Sequence, residues 1–211
     1  MIHPHTELRF INEAIGYGVF ATEFIPKGTI TWILDELDQR YEEAYVMSLD
    51  PLLRDRLLKF CFRDEQGQYI LCWDIARYVN HSFNSTLIAT PYHFELAARD
   101  IYPGEEITDD YGYFNLDKPF YCLPEPGTTR TKVMPDDILH YYSHWDRIAA
   151  EAMQHFNQVN QPLKYLIDPK FADKVAAIAA GREPMDSLLT CYYDPHRAGV
   201  GNWELGVGDR V

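Results

Sequence analysis

Gly104-Glu105-Glu106-Ile107-Thr108-Asp109-Asp110-Tyr111-Gly112 and, upstream of it, Arg77-Tyr78-Val79-Asn80-His81-Ser82 carry most of the information in this chain. In the first, a Pro103-Gly104 turn follows a strand candidate, Tyr92–Ala98, and opens a second short strand that ends at a tyrosine followed by glycine. In the second, small polar groups gather between two strand candidates. Asn80 there offers both a carbonyl acceptor and an amide donor, which suits an ammonium or a carboxylate. Each stretch alone also has an ordinary reading. Asn and Ser stabilise turns through side-chain to backbone hydrogen bonds, and a buried tyrosine fills a core with its hydroxyl satisfied locally.

Nearer the N-terminus lies Gly16-Tyr17-Gly18-Val19-Phe20-Ala21-Thr22. A Gly-X-Gly ahead of a strand lets backbone groups approach a ligand with no Cβ in the way. It lacks the third glycine and following helix of a dinucleotide-binding turn, which argues against that cofactor. Further strands are expected at Leu8–Asn12, Val19–Thr22, Thr29–Leu34, Tyr69–Trp73 and Thr86–Thr90, rich in β-branched and aromatic residues. Phe94, Leu96 and Ala98 alternate with Glu95, Ala97 and Arg99, the period of a strand buried on one face. One helix interrupts the strands: Asp50 is a good N-cap, Pro51 suits the first helical position, and Leu53, Leu57, Leu58 and Cys61 share a face.

The texture changes near residue 120. After Pro135, apolar residues from Ile138 through Trp145 to Val159 follow helical spacing, with Asp136 and Asp137 placed to interact with the helix dipole. A second helix, Phe171–Ala180, is closed by Gly181. The tail from Asp194, with four glycines, reads as irregular. The chain divides into a β-rich body (7–116), a Pro/Gly linker (117–134) and a helical extension (135–211).

Of 211 residues, 19 are Lys or Arg and 32 are Asp or Glu, a formal charge of −13. Direct nucleic-acid binding is disfavoured, because holding a phosphate backbone needs a basic face. A negative field suits a basic partner. The start has neither the charge nor the apolar stretch of a signal peptide, and no apolar run spans a bilayer, so no membrane association is expected. Cys61, Cys72, Cys122 and Cys191 match no zinc or redox spacing, so reduced thiols, no metal and an intracellular location are expected. That location would be cytoplasmic in a bacterium, with the nucleus left open.

Gly-X-Gly, then Arg-X-X-Asn-His-Ser, then Gly-Glu-Glu-Ile-Thr-X-Asp-Tyr-Gly, in this order, resembles the SET-domain family of protein lysine methyltransferases over about Asn12 to Asn115. The resemblance implies a mainly β fold with helices, a β-clip of several small sheets around a pseudoknot, followed here by the C-terminal α-helical extension. It implies S-adenosylmethionine as cofactor, with Gly16, Tyr17 and Gly18 cradling its methionine moiety, Asn80 and His81 at its amino and adenine ends, and Arg77 ordering the knot or meeting its carboxylate. Tyr111 would be the catalytic tyrosine beside the methyl group. The implied substrate is a lysine ε-amine in a basic protein or peptide. Two other readings follow from the same residues: a SET-fold binding module that has lost catalysis, and a SET-type methyltransferase acting on a non-lysine amine.

The pattern departs from the family at two places. Many SET domains carry an aromatic residue two positions before the tyrosine, where this chain has Asp109, a candidate to bind the incoming ammonium or a water. Related proteins often continue into a cysteine-rich zinc cluster, of which Pro119-Phe120-Tyr121-Cys122 looks like the start and Leu123-Pro124-Glu125-Pro126-Gly127 like a degenerate remainder. One thiol builds no tetrahedral zinc site. Phe120, with Phe114 and Tyr121, is a candidate to cover the cofactor. Elsewhere, His140 and His144 lack a third ligand and read as a helix face. Tyr141, Tyr142, Trp145 and Phe156 read as core, and Asp35-Glu36-Leu37-Asp38 as solvated surface.

Overall fold

The computed structural model describes residues 1–194, so the tail predicted to be irregular lies, beyond Asp194, outside the described residues. In chain order the elements are β1 (Thr6–Asn12), β2 (Gly16–Ala21), β3 (Ile30–Ile33), β4 (Gln39–Tyr41), α1 (Glu43–Ser48), α2 (Pro51–Leu58), β5 (Cys61–Arg63), β6 (Tyr69–Leu71), β7 (Asn80–His81), β8 (Leu87–Ala89), β9 (Phe94–Ala97), β10 (Glu106–Asp109), β11 (Phe120–Tyr121), β12 (Lys132–Val133), α3 (Asp137–Met153) and α4 (Pro169–Ala179). They make small sheets ordered β1-β2-β10-β7, β3-β9-β8, β4-β6-β5 and β11-β12.

The first sheet brings distant motifs together. Gly16, at φ 88°, allows the tight turn that returns β1 into β2. β10 then pairs antiparallel with β2 through Ile107 and Val19, and parallel with β7 through Thr108–Asn80 and Asp109–His81. The Gly-X-Gly, Asn-His-Ser and tyrosine segments thus lie on three neighbouring strands, as the resemblance implies.

Two apolar cores meet at β9. Phe94 and Leu96 pack with Ile30, Ile33, Trp145, Ala149, Phe156 and Val175 on the helical side, while Ala97 packs with Val19, Ile25 and Ile107 on the other. The expectation that β9 is buried on one face is therefore corrected: Phe94, Glu95, Leu96 and Ala97 are all buried. The face of Glu95 and Ala97 meets Val19, Ile25 and Ile107 of the β body instead of solvent, and each large side chain so buried stabilises by roughly 1.5–3 kcal/mol. The helical extension shares the core around Phe94 and Leu96 with the sheets.

Three local expectations also change. Asp50 caps α2 by accepting from the Leu52 amide at 2.9 Å, but the helix ends at Leu58, buries no residue, and leaves Leu53 exposed while Cys61 opens a strand. α3 stops at Met153, and Phe156 reaches the core from a separate 3-10 turn. Asp35 and Asp38 fold inward: Asp38 accepts from the Asp35 and Trp73 amides at 3.0 and 3.2 Å, and Asp35 accepts from the Trp73 indole at 3.1 Å. Hydrogen bonding of this kind lets a carboxylate leave the surface.

Candidate active site

Tyr111 opens a 3-10 turn, Tyr111–Tyr113, that follows directly from β10. Asp110 caps it, its Oδ1 accepting from the Gly112 amide at 3.0 Å. Gly112 has no room for a side chain, since a Cβ would stand 2.8 Å from the Trp145 ring. The Tyr111 amide donates to His81 Nδ1 at 3.1 Å and its hydroxyl donates to the Val79 carbonyl at 2.7 Å. Both ends of the residue are thus fixed to the Asn-His-Ser strand. Burial, reinforced by the charges of Asp109 and Glu106, pushes the phenol well above its ordinary pKa. It stays a hydrogen-bond donor at neutral pH and is no general base there.

His81 is buried enough that its pKa falls to about 4. The ring is neutral, and because Nδ1 accepts, the proton sits on Nε2, which is buried with no partner among the described residues. Asn80 spends its amide hydrogens on the Tyr17 carbonyl at 3.1 Å and on Glu106 Oε1 at 2.7 Å, tying β7 to the glycine strand and to β10. Gly18 sits against the same groups: a Cβ there would meet Glu106 Oε1 at 2.5 Å and Asn80 Nδ2 at 2.9 Å. The Phe120 ring lies 5.6 Å from Tyr111 and 5.9 Å from His81, centroid to centroid.

A cavity of about 500 Å³ opens beside Tyr111, with Trp32, Phe62 and Phe114 among its walls and Asp109 and Glu95 in its lining. Asp109 is buried, and its Oδ1 accepts from the Tyr113 hydroxyl at 2.6 Å. Burial raises its pKa to about 7, opposed by that hydrogen bond and assisted by Asp110.

The linker crosses this region and is tied down by charged side chains. Arg130 pairs with Asp110 and, at 2.7 Å, with Asp137, and its guanidinium lies 4.3 Å from the Phe83 ring and 4.2 Å from the Tyr141 ring. Glu125 accepts from the Ser82 hydroxyl at 2.9 Å and the Phe83 amide at 3.0 Å. Charge-assisted bonds of this kind hold a strap as firmly as its partners are buried.

A family model described as SET domain matches residues 16–112, from the first glycine of Gly-X-Gly to the glycine after Tyr111. Residues 16–112 are a SET domain. No curated protein matches the sequence. A solved structure, that of a candidate histone methyltransferase of Plasmodium falciparum, is 18% identical, covers 52% of this chain and 95% of its own, and superposes with a TM-score of 0.38.

Within the SET domain, Tyr111, Asp109 and Arg77 line the cavity, as does Phe120 from beyond its end. Gly16, Tyr17, Gly18, Asn80 and His81 are not among the cavity's lining residues; they lie on β2 and β7, linked to it through the Tyr111–His81 bond. Arg77 is exposed, with its guanidinium 5.5 Å from the Tyr78 ring, and makes no ion pair among the described residues. Tyr17 packs its ring on Phe10 and Tyr78. His140 and His144 are exposed and contact Asp136 and Arg147. Sequence reading missed Glu95, Arg130, Glu125 and Tyr113. Glu95 had one signal, a lone carboxylate inside the apolar run Phe94-Glu95-Leu96-Ala97-Ala98. The others carry none, because their roles depend on partners far along the chain.

Proposed function

We infer that this protein is an S-adenosylmethionine-dependent protein-lysine N-methyltransferase. The observation that carries the reading is Tyr111, hydroxyl fixed to Val79, at the wall of an aromatic cavity with carboxylates in its lining. The residues present fit the cofactor. His81 Nε2 is a buried donor without a partner, Asn80 keeps its carbonyl oxygen while its amide is spent, and the Phe120 ring is 43% exposed beside them. Gly16–Gly18, Asn80, His81 and Phe120 would hold it. When bound, it supplies an electrophilic methyl group on a positive sulfonium.

The chain's own residues then have a limited task. A lysine of pKa ~10.4 is mostly protonated at pH 7, so the neutral amine costs ~4.6 kcal/mol. A dry cavity favours the neutral form, and aligning the amine supplies several kcal/mol more. Tyr111 holds the geometry. Incubation with methyl-labelled cofactor and a panel of basic proteins is expected to label lysine, and calorimetry is expected to show cofactor binding. Cofactor binding with no label on any of the panel would sink the reading.

A second reading, methylation of a non-lysine amine, draws on the cavity volume of about 500 Å³, which lies in the range of pockets for whole small molecules. The mass of the labelled product separates the two.

A further inference from the structure

Glu95 is the one buried carboxylate of the cavity that the site described above does not use. It is 7% exposed, and its side chain makes no hydrogen bond or ion pair among the described residues. It stands opposite Trp32 across the β3–β9 pair, so both side chains project to the same face, and both line the cavity together with Asp109. A carboxylate removed from water without a partner is costly, and two that are electrostatically coupled are costlier. The cations lining the same cavity do not neutralise the pair. Arg63 is committed to Asp117 at 3.0 Å and Glu43 at 3.1 Å, while Lys59, Arg77 and Lys118 are exposed.

We propose that Glu95 and Asp109 form an ammonium-receiving site at the floor of the cavity, which binds a primary alkylammonium as a cation and accepts the proton it must lose. The substrate class follows from the floor: a protonated amine on a slender alkyl chain, flanked by aromatic faces, in preference to a neutral group of the same shape. The assignment rests on the reading that this cavity receives the target lysine. In the step itself one N–H bond of the ammonium breaks and one O–H bond forms on the ionised member of the pair, leaving a neutral amine with its lone pair free and a neutral acid.

The chemistry of the floor suits that step. An ordinary aspartate, of pKa ~3.9, is a base more than a million-fold too weak to compete with an amine of pKa ~10.4. Burial brings Asp109 to about 7, which closes about half of that gap, and Glu95 is raised as well. In a dry cavity the neutral amine and acid are favoured further over two desolvated ions. The groups facing the pair are Tyr111, Tyr113 and Asp110 from the tyrosine turn and Cys72 from beyond β6, with the Met1 amino group acting on Glu95 at longer range. Burial raises Tyr111, Tyr113 and Cys72 above their ordinary pKa values, so all three stay protonated through neutrality.

The test uses the full chain with n-butylammonium chloride and n-butanol, which share a carbon skeleton and differ in charge. Calorimetry is expected to show at least about tenfold preference for the ammonium, and Glu95→Gln is expected to abolish that preference. Carbon NMR of the wild type is expected to show the Glu95 and Asp109 carboxyl signals move on adding the ammonium; where the variant does not fold, this measurement decides alone. Equal binding of the two probes, stationary carboxyl signals, or preference retained in Glu95→Gln each overturns the site. On a basic peptide, Glu95→Gln is expected to depress kcat near neutrality and recover as pH approaches that of the free amine; a uniform loss at every pH overturns the proton-accepting role. Ammonium binding without methyl transfer counts against the lysine reading and leaves the site standing. Methyl transfer without ammonium preference does the reverse.

Discussion

The Tyr113 hydroxyl donates to Asp109 Oδ1 at 2.6 Å, and both residues are buried, so one face of a carboxylate in the cavity lining is held by a phenol from the turn that follows it. Asp109 binds its proton more tightly in the folded protein, at about 7, than in an unfolded chain at ~3.9. The folded state therefore holds more protons between those values, and this residue's contribution to stability falls as pH rises from about 4 to about 7 and is flat above. Asp109→Asn keeps an acceptor for Tyr113 and stays neutral. It is expected to match the wild-type Tm near pH 4 and exceed it by several degrees near pH 8; parallel Tm–pH curves for the two proteins contradict this.

Tyr111→Phe removes one hydrogen bond, to the Val79 carbonyl, and leaves the ring in its aromatic surroundings. Stability is expected to fall by about 1 kcal/mol. Methyl transfer is expected to fall by at least ~100-fold, because small losses of alignment cost that much. Affinity for the cofactor, read by calorimetry, should stay within about threefold. Equal losses in affinity and rate would point to a binding role for the hydroxyl.

Gly16 and Gly18 should respond differently to alanine. At Gly16 the space is open but φ is 88°, so the cost is backbone strain of about 1 kcal/mol. At Gly18 the new Cβ meets Glu106 and Asn80, which must part to admit it. Gly18→Ala is expected to break the Asn80–Glu106 bond and lower cofactor affinity by about tenfold or more, since the amide that ties β7 to β10 beside the glycine strand is lost. Chemical-shift changes at Asn80 in Gly18→Ala and not in Gly16→Ala would confirm the route.

Arg130→Met leaves Asp110 and Asp137 buried without their cation. Breaking a buried pair from one side costs about 3–5 kcal/mol, or roughly 6–20 °C in Tm for a chain of this size. Adding Asp110→Asn and Asp137→Asn is expected to recover part of the loss. Limited proteolysis should cut residues 117–134 faster in the single variant than in the wild type, and unchanged protection there would show that Glu125 alone holds the strap.

The local signals in the sequence were sufficient for what local interactions control. Asp50 with Pro51 marked the start of α2, the helical spacing after Pro135 marked α3, and Gly181 marked the end of α4. The three motifs, by type and order, marked the segments that β2, β10 and β7 then place side by side, because each motif is contiguous. The tertiary structure alone decided that Glu95 turns into the cavity with Asp109, that Asp35 and Asp38 fold inward, and that Arg130 ties the linker to Asp110 and Asp137. The reason is physical: a side chain's burial and charge state depend on what its strand pairs with. Trp32 opposite Glu95, and His81 beside Asp109, are pairings between residues dozens of positions apart that no local period records.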